Sequence, residues 1–231
     1  MLFPFDTLAQ SLNIDLGSST EGTATGRLVQ LIVFITVISL APALLVMMTS
    51  FTRIIIVLAL LRTGLGLQQT PPNQVLIGLA LFLTFFIMAP TFETAYEEGL
   101  VPLLEESITQ EQAFENMVIP FKEFMLSHVR KKDLDLFMGM QPDVEVEEPE
   151  DTPLRMLIPA FMISELKRAF EIGFLVFLPF VIIDMLIASI LMAMGMMMLP
   201  PVMIALPFKV IFFVLIDGWY LLAGSLVRSF G

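Results

Sequence analysis

Apolar residues run along this chain in long uncharged stretches instead of alternating with polar ones. Positions 28–52 hold 25 residues without a charge, 63–92 hold 30 and 185–208 hold 24. A helix crossing a bilayer needs roughly 20 predominantly apolar residues, so each stretch is long enough. The first predicts a helix over 28–52, kinked at Pro42, with the apolar pattern continuing past Arg53 through 54–61 to Arg62. Gly64, Gly66, Pro71 and Pro72 mark 63–74 as a turn. A second helix is predicted over 75–89 and Pro90 is expected to stop it, so 28–92 reads as one apolar helical hairpin. Beyond a more charged helical pattern at 154–171, two further apolar helices at 172–194 and 202–227 predict a second hairpin within 154–231.

Between the hairpins, 93–153 reads as a small polar helical domain. Helical spacing covers 100–106 and 110–130, and Phe114, Val118, Phe121, Phe124 and Met125 fall near one face of the latter. That face is too apolar for water, and about sixty residues is small for an independent core. It is expected to pack partly against a neighbouring subunit and to drive self-association. Positions 141–152 predict a charge-dense loop. Positions 1–27 read as a loose arm rich in Ser, Thr and Gly. The arm lacks the basic region and apolar stretch of a secretory signal, so either the chain has no such signal or it has been removed. The expected fold class is an all-α membrane protein, two long apolar helical hairpins with an inserted small acidic helical domain.

Composition supports the membrane assignment. Hydrophobic residues make up 57% and charged residues 15%, against about a quarter charged in soluble domains. The net charge of −11 is concentrated, because 93–151 carries 16 acidic residues against Lys122, Arg130, Lys131 and Lys132. Such a segment does not suit nucleic acid or anionic lipid, which need a basic surface. Cysteine is missing altogether, and one histidine, His128, reads as a solvated residue of the polar domain, so no zinc site is expected. No phosphate loop, serine elbow or calcium loop stands in the sequence. The chain is therefore expected not to be an enzyme and to hold no metal or cofactor.

Charge placement raises a topological conflict. Arg53 and Arg62 flank the first turn, which suggests that it faces the cytoplasm and the acidic domain lies outside. Lys167 and Arg168 then fall on the outer side, against the same rule, so four plain lipid-facing spans are not expected. Inside the second hairpin stand Asp184, Lys209 and Asp217, and ionisable groups at membrane depth face partners or water. Lys209 cannot reach Asp217 along one helix, since eight residues rise ~12 Å. Its expected partner is Glu165, across subunits or between hairpins, with Asp184 as the rival. Methionine fills six of the twelve positions 192–203, around Met194-Gly195-Met196-Met197-Met198-Leu199-Pro200-Pro201. A soft, re-packable apolar cluster at a helix break suits a deformable seal; the plainer reading is apolar filler in a buried hairpin.

Several segments together resemble the FliP family of flagellar biosynthetic proteins. They are Ser50-Phe51-Thr52-Arg53-Ile54-Ile55-Ile56-Val57, Pro71-Pro72-Asn73-Gln74-Val75-Leu76, the stretch 159–173 beginning Pro159-Ala160-Phe161-Met162, the stretch 179–189 beginning Pro179-Phe180-Val181-Ile182, and 194–201. The similarity runs from about Val29 to Phe230 and is weakest in 93–151. It implies a subunit of the flagellar type III export gate: a pentameric homo-oligomer in complex with FliQ and FliR, in contact with membrane lipid at the bacterial inner membrane and the flagellar basal body, with much of the assembly above the plane of that membrane and the acidic domain periplasmic. Unfolded flagellar export substrates would pass through its centre, and the family's methionine seal maps onto Met196, Met197 and Met198. Two other readings are weaker. Thioethers suit Cu(I), but a copper transporter would be expected to carry Cys or a second Met-rich segment. An intramembrane enzyme would need a catalytic constellation that the sequence does not offer.

Overall fold

The computed structural model describes residues 46–141, 149–196 and 199–231 and, nearer the N-terminus, positions 26, 29, 31, 32, 35, 36, 39 and 43. The chain divides into two compact units, Met1–Ala43 and Leu44–Gly231. In the first, the described positions are helical, and the Thr36 and Ser39 hydroxyls each donate to a carbonyl one turn back at 2.8 Å. Polar groups on this apolar helix thus find partners within it, as a membrane environment demands. Pro42, positions 1–25 and most of the acidic loop, 142–148, lie outside the described residues.

The second unit is all helical. Its helices are α1 (Phe51–Gly64), α2 (Asn73–Ala95), α3 (Val101–Leu104), α4 (Gln110–His128), α5 (Lys131–Gly139), α6 (Leu154–Ala193), α7 (Pro201–Leu215) and α8 (Gly218–Arg228). The expected first turn closes α1 onto α2. Gly66, at φ 78°, supplies the left-handed residue that ends α1, where Leu67 N–H bonds the Arg62 carbonyl. Arg62 Nη1 then donates to Asn73 Oδ1 at 2.6 Å, tying the last turn of α1 to the first of α2.

Several expectations about helix ends are corrected, the first at 48–50, where a turn interrupts the helix expected to run from 28–52 on through 54–61 and α1 starts afresh at Phe51. Pro90 does not stop α2, which runs to Ala95 and continues through a π turn, Tyr96–Leu100, into α3. A proline forfeits one backbone bond, whereas leaving the helix in an apolar setting would strand several. The pattern at 154–171 and the apolar helix after it form one helix, α6, of 40 residues, uninterrupted by Pro159 and Pro179. It is about 60 Å long, twice the hydrocarbon thickness of a bilayer. Conversely, the single helix expected over 202–227 is broken. Asp217 adopts φ 51°, and α7 and α8 meet at a 64° bend.

Asn73–Leu104 and Leu154–Ala193 are each long and apolar enough to cross a membrane, and α7 with α8 would make a third, bent span. The core is built around α6, which packs on α1, α4, α5 and α7. Helices α1 and α6 run parallel: Thr52 meets Met162, Leu60 lies against Gly173, and Gly64 lies against Phe177 and Phe180. Ile54, Val57, Leu58 and Leu61 of α1 and Ala169 and Phe180 of α6 are buried in one core cluster that also takes in Leu76 and Ala80 of α2 and Leu222 and Leu226 of α8. The first hairpin is thus clamped to the second along its length. The acidic segment belongs to the same compact unit. Its α4 opens with a reciprocal cap between Thr109 and Gln112 and packs Phe121 against Met88 and Ala95 of α2, and Met125 against Leu157 and Phe161 of α6.

Candidate functional site: buried ion pairs and a methionine-rich break

Arg53 stands one residue after a 25-residue uncharged run and is fully buried in the α1–α6 seam. A guanidinium there needs a complete set of acceptors, because an uncompensated buried charge is strongly destabilising. Glu165 of α6, equally buried, takes it in fork geometry, through Nη2 and through Nε at 2.8 Å. Nη1 donates to the Ser229 carbonyl at 2.8 Å and to its hydroxyl at 3.0 Å. The Phe230 ring covers the guanidinium at 3.6 Å, a cation–π contact. One arginine therefore joins α1, α6 and the C-terminal end of the chain.

Phe230 is also held by α4. Its ring stacks on Phe124 at 6.0 Å between centroids, and its carbonyl lies 3.1 Å from His128 Nε2. His128 is not a free solvated side chain as expected; it is half-buried and ties α4 to the C-terminus. Beside Glu165, Ser164 makes a second polar join. Its hydroxyl donates to Asp133 of α5 at 2.6 Å and accepts the Arg130 N–H at 3.0 Å, while Arg130 forks onto Asp133. Burial pushes the Asp133 carboxyl up, but the hydrogen bonds from Ser164 and Arg130 and the charges of Arg130 and Lys167 outweigh it, so its pKa lies below the ordinary carboxylate value.

Further along α6, Lys209 of α7 pairs with Asp184 at 2.5 Å and donates to the Gly64 carbonyl at 3.1 Å. The pair expected within the chain, Lys209 with Glu165, does not form; the rival acid is the partner. The reason is register. Glu165 lies 19 residues before Asp184, about 28 Å down α6, and Arg53 already occupies it. Asp184 keeps one buried oxygen, Oδ1, without a hydrogen-bond partner. Asp217 is exposed at the α7–α8 bend, where its left-handed backbone is one that Asp tolerates better than most residues.

The methionine segment sits at the tip of the second hairpin. Helix α6 ends with Gly195 at φ 73°, where Gly195 N–H bonds the Met192 carbonyl and Met196 N–H the Leu191 carbonyl, each at 3.0 Å. This is a glycine-terminated helix cap. Pro200 and Pro201 then open α7, the first helical position being one where proline costs nothing. Met192, Met194 and Met203 are 57, 61 and 69% exposed, and Met196 is exposed as well; Met197 and Met198 lie outside the described residues.

The expected self-association face is divided. Phe121 and Met125 are buried and Phe124 half-buried, all within the chain, against α2, α6 and Phe230. Val118 is half-buried, and Phe114 is 66% exposed. Periodicity located the face but not its partners, α2 and the later α6 of the same chain. Sequence reading also passed over Arg53, treated as a flank of the turn. The signal was available, since a lone arginine set inside apolar helix implies a buried acid elsewhere.

Residues 34–226 match the FliP family. The chain is 57% identical over 230 residues to the flagellar biosynthetic protein FliP of Caulobacter vibrioides, covering 99% of this chain and 86% of that one. It is 55% identical over 217 residues to FliP of Bacillus subtilis, with 94% and 98% covered, and 51% identical over 204 residues to FliP of Aquifex aeolicus, with 87% and 85% covered. Similarity of this extent, through α1, α2, α6, α7 and the methionine-rich break alike, establishes that the chain belongs to the FliP family.

Proposed function

We propose that this chain is a pore-forming subunit of the flagellar type III protein export gate and passes unfolded flagellar proteins across the bacterial inner membrane. It works as a homo-oligomer, a pentamer by family resemblance, with FliQ and FliR in the basal body, and its acidic segment stands on the periplasmic side. The observation that carries this is the methionine-rich break. Gly195 ends one helix and the proline pair opens the next, and the described methionines around them project from the chain without packing into its core. Several copies around an axis would bring Met196, Met197 and Met198 together as a ring. Unbranched, polarizable side chains close against a void and yield to a passing polypeptide of any sequence.

Two further features fit an assembled gate. Helix α6 exceeds a bilayer's hydrocarbon by about 30 Å, which leaves a long section outside it. On α2, Phe82, Phe85 and Phe86 are all exposed, a band that needs lipid or another subunit to cover it. The chain's work in this reading is steric, to seal and to yield.

The test is a triple change, Met196→Ala, Met197→Ala and Met198→Ala, in the assembled complex. The expected outcome is an oligomer of parental size whose membrane conducts small ions well above the parental level. A triple variant that assembles and leaves the membrane as tight as the parent removes the seal.

A further inference from the structure

The chain has one histidine, and it is the last residue of α4. Both nitrogens of the His128 ring face carbonyl oxygens, which can only accept. Nδ1 lies 2.8 Å from the Phe124 carbonyl one turn back, and Nε2 lies 3.1 Å from the Phe230 carbonyl. A neutral imidazole carries one N–H, so it donates to one of these oxygens and holds a lone pair against the other; the imidazolium donates to both. Ser127 stands beside Nδ1, its hydroxyl oxygen 2.9 Å away. That hydroxyl donates to the Phe124 carbonyl at 2.8 Å, which leaves its oxygen to accept from Nδ1. The charges on the surrounding elements are already matched or lie in water. Arg53 shares the Phe230 ring with His128 and is neutralised by Glu165 of α6, and Arg130 and Asp133 at the head of α5 neutralise each other. Helix α2 carries no charge before Glu93, and Glu123 and Lys122 of α4 stand more than a turn back. Arg155, Lys167 and Arg168 of α6 and Arg228 of α8 are exposed. None of the four ion pairs among the described residues includes His128 or Gly231. The C-terminal end of a helix itself favours a cation.

We infer that His128 is a proton-operated latch on the C-terminal segment of the chain. With a proton on each nitrogen, the ring ties the Phe124 carbonyl of α4 to the Phe230 carbonyl. That grip holds in place the segment that caps Arg53, through the Ser229 carbonyl and hydroxyl and the Phe230 ring. When the ring gives one proton to solvent, a lone pair faces a carbonyl and one of the two bonds is lost. The held state binds one proton more than the released state, so rising pH favours release. The hold is complete in acid and weakens as pH rises through the range, about 5 to 8, in which histidine changes charge. Departure of Phe230 uncovers the buried Arg53–Glu165 pair, so the latch bears on the packing of α1 against α6 as well as on the last residues. The inference depends neither on the pore nor on where the membrane lies.

The untagged full chain, purified in detergent as its native assembly, is labelled with deuterium at about pH 5.5 and about pH 8. Labelling times are scaled for the intrinsic exchange rate, and peptides covering 222–231 are followed by mass. Protection of that segment is expected to fall roughly tenfold from the lower pH to the higher, the worth of one charge-assisted hydrogen bond, while α2 keeps its protection. His128→Gln has no proton to lose and should protect 222–231 equally at the two pH values. Ser127→Ala removes the hydroxyl that could serve a neutral ring, and it should keep the parental fall. A parent protected equally at both pH values overturns the latch, and so does a fall shared by α2. A His128→Gln variant that keeps the parental fall overturns it too. Loss of the fall in Ser127→Ala overturns it as well, because the hydroxyl would then govern the contact in place of the ring proton.

Discussion

Arg53 and Glu165 form a fully buried ion pair in which each side chain compensates the charge of the other. Removing one partner of such a pair costs about 3–5 kcal/mol, whereas replacing both with apolar residues of similar size is close to neutral. Arg53→Leu and Glu165→Leu are therefore each expected to lower the detergent melting temperature by roughly 10 °C, at the 2–4 °C per kcal/mol of a chain this size. The double change should recover most of that loss. Additive losses in the double variant would mean that the two residues act separately. Single residues were only half legible in the sequence. Lys209 and Asp184 announced themselves as charges in apolar helix and do pair. The choice of Glu165 for Lys209 failed because it ignored Arg53, which lies 112 residues from Glu165 and meets it only when α1 packs along α6.

Helices were legible where local chemistry decides their ends. Gly66 and Gly195 stop α1 and α6, and Pro201 starts α7, each by rules confined to a few residues. They were misread where the surroundings decide. Pro90 sits inside continuous helix because an apolar setting leaves the chain no cheaper alternative, and Asp217 breaks a helix just before Gly218, where a Cβ would run into the Phe213 ring. The apolar face of α4 shows the same division. Its periodicity was plain, but α2 and α6 of the same chain cover Phe121 and Met125, leaving Phe114 outside. Phe121→Asp is accordingly expected to unfold the chain, seen as lost protease resistance, by burying an unpaired charge. Phe114→Asp should fold normally, and native mass measurement will show whether it still assembles. Equal protease resistance in the two variants would contradict the packing of α4 described above.

At the scale of the molecule, the parallel packing of α1 on α6 unites what the sequence presents as separate hairpins, and the chain's end locks that packing through Ser229 and Phe230. Long uncharged runs made the membrane character and all-helical class readable. The long-range seam was not, since no local pattern pairs residues a hundred positions apart. The seam fixes α6, whose far end carries the methionine-rich segment of the proposed gate. Imaging single particles of the purified complex tests this most directly. The expected result is a closed ring of several copies whose 192–203 segments meet on the central axis, with Met196, Met197 and Met198 narrowing it to closure. A ring whose 192–203 segments lie on its outer rim, around an axis sealed by other residues, would contradict the account.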